Sequence, residues 1–423
     1  MDNQSYFARF ADALLGELLD VMGAVVIEGA KWCGKTETGL HACQSQTMMQ
    51  DLDKMAAYQQ ALKIKPSVLL EGDTPHLIDE WQTAPLLWDA VRYEVDRRRT
   101  AGQFILTGSA VPVDDGKLHS GTGRFAWLRM RPMTLFESKE SNGQVSLNDL
   151  FRHQPDISCQ SDVSIEQYAH FVCRGGWPAA VTARTDRASL LIARSYVDAL
   201  INEDIHRVDG VERNPDRVRN MLRSLARNIS TLVSAKTLLA DMKADDVSMS
   251  DKTFTSYMNA LQRVFVVENI PAWTPSLRSK LAVRTSPKRQ LVDPSLATAS
   301  LRITPDTLMH DFNTFGFLFE SLCSRDMRVY MQVLDGEVKH YHDSKELEAD
   351  MILQKYDGCW AAVEVKMGAA EEDKAAENLL KLSNRIDTDK VGKPSFLMIL
   401  TAGQFAYRRH DGVYVVPLAC LKP

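Results

Sequence analysis

The stretch Glu28–Gly39, EGAKWCGKTETG, spaces its residues as Gly29-x-x-x-x-Gly34-Lys35-Thr36. Just before it, Gly23–Ile27 is a short apolar run rich in β-branched residues, and just after it the chain can continue as a helix. A strand, a glycine-bounded loop and a helix start make the arrangement that wraps a phosphate chain. The glycines allow a tight turn and close approach of the backbone. Successive N–H groups then point at the anion, and the helix N-terminus adds its positive dipole end. The expected nucleotide contacts are Gly29, Ala30, Lys31, Trp32, Cys33, Gly34, Lys35, Thr36 and Glu37. Lys35 is expected to reach the β- and γ-phosphates of ATP, and the Thr36 hydroxyl to ligate Mg2+. A glycine turn with a surface lysine is the plainer alternative, but strand and helix flank the motif on the required sides.

A second element fits the first. In PHLIDEWQ an apolar strand ends at Asp79-Glu80, about fifty residues after Gly29. Asp79 is expected to hold magnesium, through water, and Glu80 to polarise the attacking water. The intervening length leaves room for a helix and one more strand, as a βαβ sheet requires. WQTAPLLWDAVRYEVDRRR then reads as a helix from Leu86, Leu87, Ala90, Val91 and Val95. GQFILTGSA reads as a buried strand opening into Thr107, Gly108 and Ser109. Ser109 could sense the γ-phosphate or be an ordinary strand exit.

Composition limits the alternatives. A chain of 423 residues is too long for one ordinary core, so two or three domains are expected. Hydrophobic content of 45 % and charged content of 25 % are those of a soluble globular protein. No apolar run approaches the ~18 residues of a membrane span, and the polar start does not read as a signal peptide. The seven cysteines contain no C-x-x-C pair, which fits a reducing cytoplasm better than a disulfide framework. A net charge of −5 gives no global attraction to nucleic acid, so any such binding needs a local basic patch.

GAKWCGKT, LIDEWQTAPLLW, GQFILTGSA, GTGRFAWLRMRPMTLFE and GGWPAAV together resemble the AAA-family P-loop ATPases of bacteria and archaea that carry a C-terminal domain of unknown function. Asp79, Glu80, Gln82 and Pro85 supply their D-E-x-Q-x-x-P element, and the chain departs from the usual loop at Trp32-Cys33. The resemblance implies Walker A and Walker B motifs, a helical lid and a homo-oligomeric ring. In ring-forming ATPases an arginine at the place of Arg124 reaches a neighbour's nucleotide. Arg124 is therefore the expected finger, worth about 10³ to 10⁵ in rate. Arg174, Arg194 and Arg207 are alternatives for a lid contact.

The remaining chain reads as two further modules. Helices over NPDRVRNMLRSLARNIS, SAKTLLADM and SDKTFTSYMNALQRVFVV, with Ser234 and Ser250 as caps, precede a strand in VFVVENIPAW. Three helices and a hairpin make a winged helix, whose Arg278, Lys280, Arg284, Lys288 and Arg289 could meet DNA phosphates. A protein-contact module with a solvated basic loop is the alternative. Farther on, KELEADMILQKYDGCWAAVEVKMG reads as two strands turning at Asp357-Gly358, with Glu364 and Lys366 on one face. This spacing resembles the PD-(D/E)XK nuclease fold. The resemblance makes Asp350 and Glu364 metal ligands, Lys366 the catalytic lysine and Glu320 the acid on a preceding helix. A retained fold with a silent site is the alternative.

The expected architecture is α/β throughout. It places a P-loop AAA-type ATPase core at 1–160, a lid at 161–212, a winged-helix domain at 213–292 and a nuclease-like domain at 293–423. The expected function is magnesium-dependent ATP hydrolysis acting on DNA or nucleoprotein, with possible DNA cleavage. The alternative is a nucleotide-dependent switch or assembly platform for a protein partner, with the nuclease-like domain inactive.

Overall fold

The computed structural model describes residues 6–109, 121–205, 210–275 and 286–423. It divides into two compact units. The first comprises Met1–Pro132, Glu203–Glu212 and Asn259–Val266, and the second comprises Met133–Asn202, Arg213–Met258 and Val267–Pro423.

The first unit is built on five strands: β1 (Ala24–Glu28), β2 (Ser45–Met48), β3 (His76–Asp79), β4 (Phe104–Gly108) and β5 (Phe125–Arg129). They lie in the order β2-β3-β4-β1-β5, and every pairing is parallel. Parallel strands need crossovers, which cover both faces and demand apolar strands. Thus β1 and β4 read AVVIE and FILTG and are buried almost throughout. Helix Leu86–Arg98 packs Leu87, Val91 and Val95 against Ala24, Val26, Phe104 and Leu106. Leu86, expected on that apolar stripe, is instead exposed. The helix's basic end folds back on its own acid, because Arg97 and Arg98 both pair with buried Glu94.

The second unit centres on a seven-stranded sheet. After β6 (Val145–Ser146) come β7 (Ser158–Gln160), β8 (Gly336–His342), β9 (Glu348–Lys355), β10 (Trp360–Lys366), β11 (Leu397–Thr401), β12 (Phe405–Arg408), β13 (Tyr414–Pro417) and β14 (Leu421–Lys422). The sheet order is β7-β12-β13-β11-β10-β9-β8, and β6 pairs separately with β14. Helix Glu372–Arg385 covers one face, where Leu379 and Leu382 meet Ile352, Trp360, Ala362 and Ile399. The strands β9 and β10 are antiparallel and joined through Asp357-Gly358, as expected. Residues 133–160 lie in this unit: β6 and β7 pair with β14 and β12, both from the chain's end.

Helices Pro215–Arg227, Ala235–Asp245 and Asp251–Arg263 follow the expected three-helix rhythm. The Ser234 hydroxyl accepts the N–H of Thr237 and Ser250 that of Thr253, so both expected caps are present. The expected strand in VFVVENIPAW is reduced to isolated bridges, Val267 to Leu291 and Ile270 to Lys288 antiparallel and Ala272 to His340 parallel. Residues Arg207, Arg278, Lys280 and Arg284 lie outside the described residues. Among the described residues no helix is long and apolar enough to cross a membrane.

A buried ionic knot ties distant segments of the second unit together. The Arg325 guanidinium donates to Asp326 at 2.8 Å and to Asp293 at 3.0 Å, with all three essentially excluded from solvent. The same two carboxylates accept backbone N–H groups from Gly176 and Leu135. Burial pushes the Asp326 carboxyl up to about 6, against the pull of Arg325. Removing the cation leaves two buried carboxylates without a counter-charge. Arg325→Met should therefore destabilise the protein by about 3–5 kcal/mol, read from the urea unfolding midpoint. A midpoint like that of the wild type would refute this role.

Candidate functional site

The loop Gly29–Thr36 joins the end of β1 to helix Lys35–Ala42. Its backbone explains its glycines. Gly29 has φ +154° and Gly34 φ +105°, both disfavoured for other residues. A Cβ on Gly29 would also lie 2.1 Å from the carbonyl oxygen of Met130. Trp32 takes a positive φ of 61° without being glycine and is half exposed at the loop's crest. Ala30 and Cys33 are fully buried, and the Cys33 thiol faces the Met130 carbonyl. Glu37 is exposed, and Lys31 pairs with Asp204 at 2.5 Å. Lys35 is buried, with Nζ donating to the Ala30 carbonyl at 2.8 Å. The ammonium thus curls back over its own loop.

Sequence reasoning missed what braces this loop. Arg9 is buried and donates to the Cys33 carbonyl and to the Arg131 carbonyl, each at 2.8 Å. A single arginine in the polar start carries no motif that would have pointed to it.

Strand order decides which groups surround the loop. Because β4 lies between β1 and β3, its carboxyl end stands between the loop and the acidic pair. Asp79 accepts hydrogen bonds from Thr36 Oγ1 at 2.8 Å and Thr107 Oγ1 at 2.5 Å. These short contacts are typical of hydroxyls donating to a carboxylate. Glu80 follows in left-handed geometry, φ 55°, ψ 45°. Its carboxylate accepts from Ser109 Oγ at 3.2 Å and from the Gln82 amide. Gln82 also reaches Ser109 Oγ at 3.4 Å. Lys35, Thr36, Asp79, Glu80 and Ser109 are therefore gathered at one end of the sheet. Thr107 and Gln82 join them; Gln82 stood in the D-E-x-Q element but had no role assigned.

The donor set suits magnesium beside phosphates. A hydroxyl and a carboxylate lie adjacent, and the ion usually completes its shell with water and phosphate oxygens. Thr36 and Asp79 are the residues that would hold it.

Arg124 stands elsewhere. Its carbonyl accepts the N–H of Ala24, so it lies at the amino end of β1 and β5. The loop follows Glu28, about 13 Å farther along β1 at the rise of an extended strand. The guanidinium is partly exposed and pairs with Asp96 at 2.9 Å. At the loop's own end of β5, Arg129 pairs with Glu28 at 2.7 Å. Of the lid alternatives, Arg174 is buried and pairs with Glu140, while Arg194 is exposed.

In the second unit Glu320, Asp350, Glu364 and Lys366 do converge. Glu320 comes from helix Phe312–Val333, Asp350 from β9, and Glu364 and Lys366 from β10. Asp350 accepts the N–H of Val365 at 2.8 Å, Glu364 accepts from Asn378, and Lys366 lies 3.3 Å from Glu364. The sequence did not reveal the fifth member. Lys288 Nζ lies 2.7 Å from Glu320 and 3.1 Å from Asp350. Lys288 and Arg289 were expected as exposed DNA contacts, and the structure overturns this. Both are buried, and Arg289 donates to the Val233 carbonyl. Burial, with the charge of Asp350, pushes Glu320 and Glu364 each up to about 8. Burial opposes ionisation of Asp350 too, but the Lys288 and Lys366 charges hold it below its ordinary range. Burial likewise works against the Lys288 ammonium, yet Asp350 and Glu320 raise its pKa. Among the described residues, no three histidine, cysteine, aspartate or glutamate side chains are grouped so as to hold a metal ion.

Comparison with known proteins matches residues 22–139 to a family described as "AAA domain". Residues 165–307 match "Domain of unknown function (DUF8612)" and residues 315–421 match "Domain of unknown function (DUF4143)". No curated protein matches the chain. Among solved structures, the chain is similar to the Walker-type ATPase PABY2304 of Pyrococcus abyssi, at 13 % identity and TM-score 0.43 over 70 % of this chain and 96 % of that one. A second similarity is to Thermococcus gammatolerans McrB AAA+ hexamers with bound McrC, at 11 % identity and TM-score 0.18, over 49 % of this chain and 47 % of that one. The loop, the acidic pair and the five-stranded parallel sheet all lie within residues 22–139, the stretch that matches the AAA domain, and the two later stretches match domains of unknown function.

Proposed function

We propose that the chain binds and hydrolyses ATP with magnesium, and spends the energy remodelling DNA or a nucleoprotein. The observation that carries the hydrolytic reading is Glu80, held by Ser109 and Gln82 beside the phosphate loop. On nucleotide binding, Lys35 exchanges the Ala30 carbonyl for phosphate oxygens. The loop N–H groups take the remaining phosphate charge. Glu80 orients a water and accepts its proton as the water attacks the γ-phosphorus, and ADP leaves. Ser109 and Gln82 fix the carboxylate and report on the γ-phosphate. Magnesium, when bound at Thr36 and Asp79, neutralises phosphate charge.

Arg124 is too far along the strand to serve its own loop. Its guanidinium is partly exposed and held by Asp96, and release from Asp96 would let it act on the nucleotide of a second copy in a ring. The three helices, two of them with the expected serine caps, and the antiparallel bridges Val267 to Leu291 and Ile270 to Lys288 support a winged-helix reading for 213–292. The convergence of Glu320, Asp350, Glu364 and Lys366 supports a nuclease-like fold for the C-terminal domain. A second reading, a nucleotide-dependent switch for a protein partner, gains from the inward turn of Lys288 and Arg289. Two cations are thereby lost from the surface that would meet phosphates. Comparing the ATPase rate without nucleic acid and with single-stranded, duplex and branched DNA separates the readings. Stimulation supports action on DNA, and an unchanged rate supports the switch.

Two variants test the chemistry. Lys35→Ala should abolish both ATP binding and turnover. Glu80→Gln keeps the side chain's shape but loses its basicity, so ATP should still bind while turnover falls about 10² to 10⁴. Turnover near wild type in either would reject the site.

Assembly is tested by mixing. Arg124→Ala should bind ATP and fail to hydrolyse it. Combined with Lys35→Ala, it should regain part of the activity, because one copy supplies the loop and the other the arginine. Full activity in a strictly monomeric wild type would exclude the shared site.

A further inference from the structure

The C-terminal carboxylates resemble a divalent-metal site, yet the chain supplies its own cation there. Lys288 is fixed at both ends. Its backbone exchanges two hydrogen bonds of 2.9 Å with Ile270. Its ammonium contacts Glu320 Oε1 at 2.7 Å and Asp350 Oδ1 at 3.1 Å, and it also reaches the Asp350 carbonyl at 3.4 Å. The other Asp350 oxygen is taken by the Val365 N–H. The two Glu364 oxygens face Asn378 and Lys366. A divalent ion needs oxygens at about 2.0–2.6 Å, with carboxylates free to turn toward it. Here they are engaged by ammonium groups and amide donors. An added ion would share the buried space with the Lys288 charge. The residues present therefore do not fit a metal.

We propose that Lys288 is the resident cation of this cluster, and that the C-terminal domain binds no divalent ion there. Three carboxylates from a helix and two strands then converge for a structural reason. Glu320 and Asp350 hold Lys288, and with it the segment after the helical module, against the Phe312–Val333 helix and β9, while Glu364 pairs with Lys366 beside them. The proposal goes beyond the ATPase reading and does not depend on it, since neither the loop nor Glu80 takes part.

The test uses nucleotide-free full-length protein and Mn2+ as the probe, followed by electron paramagnetic resonance. Wild type and Asp350→Asn should bind the same number of Mn2+ ions. One further ion in the wild type, lost in Asp350→Asn, would overturn the proposal. Lys288→Met keeps the side chain's length and removes its charge. In EDTA it should melt roughly 5–15 °C below wild type, because buried carboxylates lose their counter-charge. Melting like that of the wild type would also overturn the proposal. If the variant does not fold, the comparison of wild type with Asp350→Asn decides alone.

Discussion

The candidate catalytic end of the first unit depends on one carboxylate. Asp79 accepts the hydroxyls of Thr36 and Thr107, and so links the helix after the loop, β3 and β4 at a single buried point. A buried carboxylate is tolerated only where donors replace its lost water. Both donors come from other strand-and-loop units, so the link forms only when β4 is seated between β1 and β3. The same seating brings Ser109 to Glu80. The geometry read as catalytic is thus a consequence of parallel strand order, and a parallel sheet places its functional groups at the strands' carboxyl ends.

The second unit uses charge differently. Arg325 with Asp293 and Asp326, and Lys288 with Glu320 and Asp350, are buried cations each shared between two carboxylates. Asp326 adjoins Arg325, but Asp293 lies 32 residues from Arg325, and Glu320 and Asp350 lie 32 and 62 residues from Lys288. Such groups contribute little net stability relative to apolar packing, but losing one partner is costly.

Much of this was legible in the sequence, for local reasons. Gly29 and Gly34 announced a backbone that only glycine tolerates well. Asp79-Glu80 was marked by the apolar strand before it, and β9 and β10 by alternation around the Asp357-Gly358 turn. What escaped was long-range. The pairing of β6 with β14 and of β7 with β12 joins residues more than two hundred positions apart, which periodicity does not register. Arg9 reaches the loop from a polar segment without a motif. Lys288 stood in a basic run without acids, which reads as solvated. Its acidic partners lie 32 and 62 residues away, on another helix and strand.

The central claim is that Gly29–Thr36 and Asp79 form a nucleotide site at the end of the parallel sheet. Its most direct test is calorimetric titration of the full-length protein with a non-hydrolysable ATP analogue and magnesium. The account predicts one site per chain, lost in Gly29→Ala, where a Cβ would collide with the Met130 carbonyl. No binding by the wild type, or equal binding by Gly29→Ala, would contradict it.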